Sequence, residues 1–380
     1  MIPGFALTEP QRLLCRAIAD APLAVRGPAA CRLYEKLGDR AAFALARENQ
    51  VDSLLAHVLM EVSGSEVSAP WRQAHDETFQ RLSLYLDELD RLAARLAADG
   101  IPLVALKNGG IARGIFPCPG CCPMGDLDVL VEKRHFRRAH ELLLDEGYTF
   151  EFRSPLEKAW LPAAEQSGGA EYWKVLPGGE KLWLELQWRP VAGRWIRPDQ
   201  EPKAEELLAR SIPIPGSAVR LLAPEDNLLQ IALHTAKHSY VRAPGFRLHT
   251  DVDRLVRRQA LNWDLFLTRV RSLGVKTPVF FSLAIPRSLF GTPIPDKVLA
   301  QLQPHPWKLA LITNWLQGVG LFNPGEPKFG RAGFVLFTAL LYDDLKGLWR
   351  GLFPGKDWMR VHYRFQSSWL LPYYYGRRLM

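Results

Sequence analysis

The sequence predicts an α+β protein: a mixed sheet with helices, set between an N-terminal helical region and a C-terminal helical domain. Three observations carry this expectation. Over the first hundred residues apolar side chains recur at spacings of three and four, the period of one helix face. Across residues 101–189 short apolar and alternating runs are broken by Gly-Gly and Pro-Gly turns, as strands are. Beyond residue 198 the helical spacing returns and holds to the end. The expected divisions are 1–99 (N-terminal helices), 100–197 (α/β core) and 198–380 (C-terminal helical domain).

Composition bounds the function classes. The chain has 380 residues, 48% hydrophobic and 23% charged, enough for a substantial core and too balanced for a long disordered region. A net charge of +8 favours polyanionic partners such as nucleotides, nucleic acid or an anionic membrane surface. The first residues lack the charged start and continuous apolar run of a signal peptide. The most apolar window, 333–342, is too short to span a bilayer and is followed by Asp343 and Asp344. No stable membrane insertion is expected, and a cytoplasmic location follows.

In chain order, helices are expected over residues 10–19, 28–37, 40–49 and 53–62. A longer one over 71–98 has Phe79, Leu82, Leu86, Leu89, Leu92 and Leu96 at helical spacing, and Gly100 stops it. It delivers the chain into an apolar strand, 101–106, followed by a Lys107-Asn108-Gly109-Gly110 turn. Glycine lets a backbone come close to a ligand, and backbone N–H groups at such a turn or at a helix start can cradle an anion. Lys107 adds a point charge. A strand over 126–131 then carries Asp126 and Asp128, two apart and hence on one face, with nothing cationic between them in sequence. A divalent cation is the simplest compensator for such a pair, and Mg²⁺ is commonly held by one or two carboxylates together with phosphates.

A helix over 134–146 follows, with Gly147 as its C-cap. Residues 148–153 read as a strand and 154–169 as an irregular loop over the site. Strands are expected over 171–176 and 181–189, joined by a Pro177-Gly178-Gly179 turn. On the second of these, Trp183, Glu185 and Gln187 share one face. A third carboxylate beside the Asp pair suits two-metal phosphoryl chemistry. A helix over 221–240 sets His234 and His238 four apart on one face, with Asp251 and Asp253 shortly after. The rest is helical with Pro and Gly breaks, and its many aromatics are expected to pack inward with the arginines solvated.

Of the five cysteines, three form a Cys118-x-x-Cys121-Cys122 cluster. It could hold zinc only with a fourth ligand from Cys15, Cys31 or a distant histidine; otherwise it is a reactive or incidental group of thiols.

The segment Leu106-Lys107 and the run Pro123-Met124-Gly125-Asp126-Leu127-Asp128-Val129-Leu130-Val131 resemble the bacterial nucleotidyltransferase family proteins of the DNA polymerase β-like superfamily. There, an L-K-G turn precedes a P-x-G-D-[IL]-D-[LV]-L-V strand. Asn108 stands where that family usually has Gly, and Cys122 where it often has Arg. The resemblance covers most of the chain from about Asn49. It implies a polymerase β-like nucleotidyltransferase core that moves a nucleoside monophosphate from an NTP such as ATP to an acceptor. It also implies that Asp126 and Asp128 bind Mg²⁺ (or Mn²⁺), with Lys107, Asn108, Gly109 and Gly110 around the triphosphate. Relatives carry an acid two positions before a His-Trp; Glu185 matches the acid, Gln187 replaces the His, and Glu185 is the expected third catalytic and metal-binding acid. The resemblance also has histidines at the places of His234 and His238, and a D-[IV]-x-x-L helix like Asp251-Val252-Asp253-Arg254-Leu255. These residues line the nucleotide or acceptor pocket or tie two helices together. The acceptor is expected to be a small molecule or peptide in a biosynthetic pathway. A toxin-like transferase acting on protein or RNA, and a non-catalytic nucleotide-binding module, are the alternatives.

Overall fold

A computed structural model of the chain describes residues 5–113, 115–153, 159–192 and 196–379. Five helices open it: α1 (Glu9–Ile18), α2 (Leu23–Leu37), α3 (Asp39–Glu48), α4 (Asp52–Ser63) and the thirty-residue α5 (Ala69–Ala98). Thr8 and Gln11 form a reciprocal capping box at the start of α1. On α5 the apolar stripe is buried at Leu82, Leu89, Leu92 and Leu96, while Phe79 faces solvent. Gly100, at φ +74°, turns the chain out of α5 toward the sheet.

The core then runs β1 (Leu103–Leu106), α6 (Lys107–Ile111), β2 (Leu127–Leu130), α7 (Phe136–Asp145), β3 (Thr149–Phe150), α8 (Leu161–Ser167), β4 (Gly169–Val175), β5 (Lys181–Gln187), α9 (Ala204–Arg210), β6 (Ile212–Pro213) and β7 (Val219–Leu221). The strands make one seven-stranded mixed sheet in the order β3-β4-β5-β2-β1-β7-β6. β2 is antiparallel to β1 and parallel to β5, and β7 is parallel to β1.

Three expectations change. The Lys107-Gly110 turn is a short helix. Of the expected loop 154–169, residues 154–158 lie outside the described residues, and Leu161–Ser167 is helical with Gly168 left-handed at its end. β6 and β7 were read as part of the C-terminal helical domain; they are too short to show a period, and they extend the sheet beyond residue 197.

The two faces of the sheet are covered unequally. Leu103, Ala105, Leu127, Val129, Leu182, Leu184 and Leu186 join the main core. Val104, Leu106 and Leu130 face the other way, onto a small cluster completed by Ala204, Leu207, Leu208 and Leu222. By strand alternation Asp128 projects from this second face.

Ten helices follow: α10 (Pro224–Lys237), α11 (Phe246–Arg258), α12 (Trp263–Leu273), α13 (Lys276–Phe290), α14 (Asp296–Leu302), α15 (Pro306–Val319), α16 (Arg331–Leu340), α17 (Leu345–Leu352), α18 (Lys356–Tyr363) and α19 (Leu371–Leu379). They are tied back to the body by buried polar contacts. Asp253 accepts hydrogen bonds from the Asp20 backbone at 2.9 Å and the Thr292 hydroxyl at 2.6 Å. Asp343 accepts from the backbone N–H groups of Lys276 and Thr277 at the start of α13. The expectation that C-terminal aromatics pack inward holds for Phe337 and Phe365 but not for Trp349, Trp369 and Tyr373, which are exposed. Trp349 is on α17, Trp369 in the 3-10 turn Ser368–Leu370 and Tyr373 on α19, short elements that leave these rings to solvent. No helix among the described residues is long and apolar enough to cross a membrane.

Candidate active site

Register assembles the acids. β2 and β5 run parallel with Asp128 opposite Glu185, and β5 and β4 run antiparallel with Glu185 opposite Glu171. Directly opposed residues on paired strands share a face, so Asp128, Glu185 and Glu171 stand abreast on three adjacent strands. Asp126, one residue before β2, joins them from the strand's start. The structure therefore brings together all three acids expected from sequence, and adds Glu171.

It also supplies the cations that the sequence reading lacked. The Lys107 ammonium donates to Asp128 Oδ1 at 2.5 Å and to Glu185 Oε2 at 3.5 Å. Lys107 takes φ +48° where β1 gives way to α6, which turns its side chain back over β2. The Arg153 guanidinium bridges Asp126 Oδ2 at 2.5 Å and Glu185 Oε1 at 3.2 Å, and its backbone N–H donates to Glu171 at 2.8 Å. Gln187, where relatives have His, donates through Nε2 to Asp128 at 2.8 Å and to Glu185 at 2.6 Å, leaving its own buried carbonyl oxygen without a partner.

Charge is strongly redistributed here. Asp128 is 2% exposed, and burial lifts its carboxyl well above the usual range despite Lys107. Burial also pushes Glu185 upward, but Lys107 and Lys237, with Asp128 and Arg153, hold it well below the usual range. The adjacent pair thus divides its charge unequally, with a proton favoured on Asp128. Burial opposes the charge on Lys107, yet the three surrounding carboxylates keep its ammonium protonated far beyond the ordinary lysine range. Asp126, Asp128 and Glu185 form an oxygen-only donor set whose charge Lys107 and Arg153 offset in this structure. That set suits a hard cation such as Mg²⁺ or Mn²⁺.

Asn108 explains its own departure from the family pattern: its side-chain amide donates to the Pro123 carbonyl at 2.9 Å, fastening α6 to the loop that leads into Asp126. At Gly110 an added Cβ would lie 2.9 Å from the Ala105 carbonyl oxygen, so glycine is required by close backbone approach. Gly109 has only ordinary contacts.

His234 and His238 come together, with ring centroids 4.8 Å apart. Burial first, then the positive charge of Lys107, with His238, Lys237 and Arg247, depresses His234 far below the histidine range. Burial likewise brings His238 down to about 3. Asp251 is fully buried on α11: its carboxylate has no hydrogen bond, sits 3.9 Å from Arg247, and is lifted by burial to about 6. Past the end of α10 a cavity of about 500 Å³ opens between Lys237, His238 and Arg242 on one side and residues 324–329 on the other. Sequence reasoning missed Arg153, Glu171 and Lys237. Arg153 and Glu171 are distinguished from other surface charges only by the register of β4, and Lys237 only by where α10 crosses the sheet.

The profile of the family described as "Uncharacterised nucleotidyltransferase" matches residues 36–291. That span takes in β1 to β7 and α3 to α13. Searches of curated proteins and of solved structures found no match.

Proposed function

The chain belongs to the family of uncharacterised nucleotidyltransferases, and from that premise we propose that it moves a nucleoside monophosphate from an NTP to a hydroxyl or similar acceptor, with Mg²⁺ or Mn²⁺. The acceptor is a small molecule or peptide. The observation that carries this reading is the alignment of Asp128 with Glu185 across β2 and β5, with Asp126 beside them.

Asp126, Asp128 and Glu185 would hold the metal, which supplies positive charge at the triphosphate and lowers the pKa of the attacking hydroxyl. Lys107 and Arg153 neutralise the acids in the free protein; with nucleotide present they exchange part of that contact for phosphate oxygens. Asn108, Gly109 and Gly110 bring the head of α6 to the β- and γ-phosphates. Gln187 fixes the carboxylates of Asp128 and Glu185 relative to one another. The acceptor oxygen attacks the α-phosphorus, the bond to the bridging oxygen breaks, and pyrophosphate leaves. Lys237, His238 and Arg242 border the side from which the acceptor approaches.

The experiment is incubation with each NTP labelled at the α-phosphate, with small-molecule and peptide fractions as acceptors. Transfer of label with release of pyrophosphate, lost in the Asp126→Ala/Asp128→Ala double variant, is the expected result. Label transfer that survives the double variant would rule the assignment out.

A further inference from the structure

Four side chains far from the carboxylates converge on one point. His57 projects from α4, His75 from α5, and Cys118 and Cys121 from the 3-10 turn Pro119–Cys121 and the residue before it. Their ligand atoms all lie within 4.8 Å of one another. His75 Nε2 is 3.2 Å from Cys118 Sγ, His57 Nδ1 is 3.6 Å from the same sulfur, and the two sulfurs are 3.0 Å apart. Cys121 is fully buried and the other three are half-buried. We propose that His57, His75, Cys118 and Cys121 form a closed structural site for a zinc-class divalent cation.

The donor chemistry selects the ion. Two thiols and two imidazoles are the soft and borderline ligands that suit zinc, while Mg²⁺ and Ca²⁺ require oxygen. The two cysteines have the C-x-x-C spacing of such sites, and all four positions of a tetrahedron are filled by protein. No position remains for water or substrate, so the role is structural.

Two further observations are independent of the cysteines. Gly120 lies between them, and a Cβ there would sit 2.4 Å from His75 Nε2. The absence of a side chain at Gly120 is what lets the imidazole reach the turn. Each histidine also has a carboxylate near its outward nitrogen: Glu61 Oε1 is 3.6 Å from His57 Nε2, and Asp76 Oδ1 is 3.5 Å from His75 Nδ1. A carboxylate behind a ligating histidine sets the tautomer and raises the basicity of the nitrogen facing the metal. Here Nδ1 of His57 and Nε2 of His75 face the sulfurs. The two rings stack nearly parallel, 5.6 Å between centroids.

Cys122 is excluded from the set. It is fully buried, and its sulfur is not among the ligand atoms that converge within 4.8 Å. The position of the site gives it a task. The turn 118–122 runs directly into Pro123, whose carbonyl Asn108 holds, and then into Asp126 and Asp128. A cation there clamps two N-terminal helices to the segment that presents the acids. The inference rests on these residues alone and stands whether or not nucleotidyl transfer is the activity.

The test is metal analysis of the full chain, purified reduced and without a histidine tag, before and after reconstitution with zinc. One zinc per chain is expected in the wild type and in Cys31→Ser, and none in Cys118→Ser/Cys121→Ser. Because that variant can fail to fold, the metal-stripped wild type is also titrated with Co²⁺. Tetrahedral d–d bands with a thiolate charge-transfer band, saturating at one equivalent and bleached by zinc, support the site. Substoichiometric zinc after reconstitution, zinc retained by the double variant, octahedral cobalt spectra, or a Cys118–Cys121 disulfide that excludes metal would each overturn it.

Discussion

Asp128 has the least solvent of any acid in the site, and its neighbours Lys107 and Gln187 set what each substitution should do. Asp128→Ala removes a metal-binding carboxylate and leaves Lys107 with Glu185 alone; transfer should fall roughly a thousandfold or more, several kcal/mol of barrier. Single-turnover rates with labelled NTP check this. The two glycines of α6 separate backbone from ligand effects. Gly110→Ala forces a methyl to within 2.9 Å of the Ala105 carbonyl oxygen and should cost about 1–3 kcal/mol. Gly109→Ala meets nothing closer than 3.7 Å and should be neutral or stabilising by up to about 1 kcal/mol. Urea unfolding of both variants decides it. At this scale the sequence revealed Asp126, Asp128 and Glu185 because strand alternation exposes acids at period two. It concealed Arg153 and Glu171, whose partners are set by pairing between strands and not by spacing along one.

Among the elements, α10 and α11 pack against one another, and their buried polar groups make the pair sensitive to pH. His249 on α11 sits against the Tyr240 carbonyl at 2.9 Å, and burial lowers it to about 4. The unfolded chain protonates this histidine near pH 6.5, before the folded one does. Its contribution to stability is therefore intact above pH 6.5 and lost as pH falls toward 4, by about 3 kcal/mol. Asp251 has the opposite sign: raised to about 6, it favours the folded state below pH 4 and loses that contribution as pH rises through 6. His249→Gln should flatten the rise in stability between pH 4 and 6.5, and Asp251→Asn should remove the fall that Asp251 contributes between pH 4 and 6, as read by denaturation at successive pH values. α1, α3, α4, α5 and α7 were legible from sequence to within two residues, while α2 starts five residues before the expected 28 and α10 is three residues shorter at each end than the expected 221–240. β3 falls inside the strand expected over 148–153, whereas the two-residue strand β6 and the short helix α6 were not legible, because elements that small have no period and exist through their neighbours. The pairing of His57 and His75 with the cysteine turn was likewise hidden, since it depends on α4 and α5 lying side by side.

For the whole molecule, the family match spans the whole sheet, and the helices beyond residue 291 are joined to that span through contacts such as that of Asp343 with the start of α13. Asp343→Ala should cost about 1–2 kcal/mol in unfolding experiments, because two N–H groups at a helix start lose their acceptor. The net charge of +8 bears on the acceptor. A small acceptor predicts a KM nearly independent of salt, whereas an RNA acceptor would lose roughly a thousandfold in affinity between 50 and 200 mM salt. The central claim is that Asp126, Asp128 and Glu185 form a metal-dependent nucleotide site. Isothermal titration of the full chain with each NTP, with and without Mg²⁺, tests it most directly when repeated on the Asp126→Ala/Asp128→Ala variant. Binding that requires the metal and vanishes in a folded double variant is the predicted result. Failure of every NTP to bind the wild type under any metal condition, or binding unchanged in the variant, would contradict it.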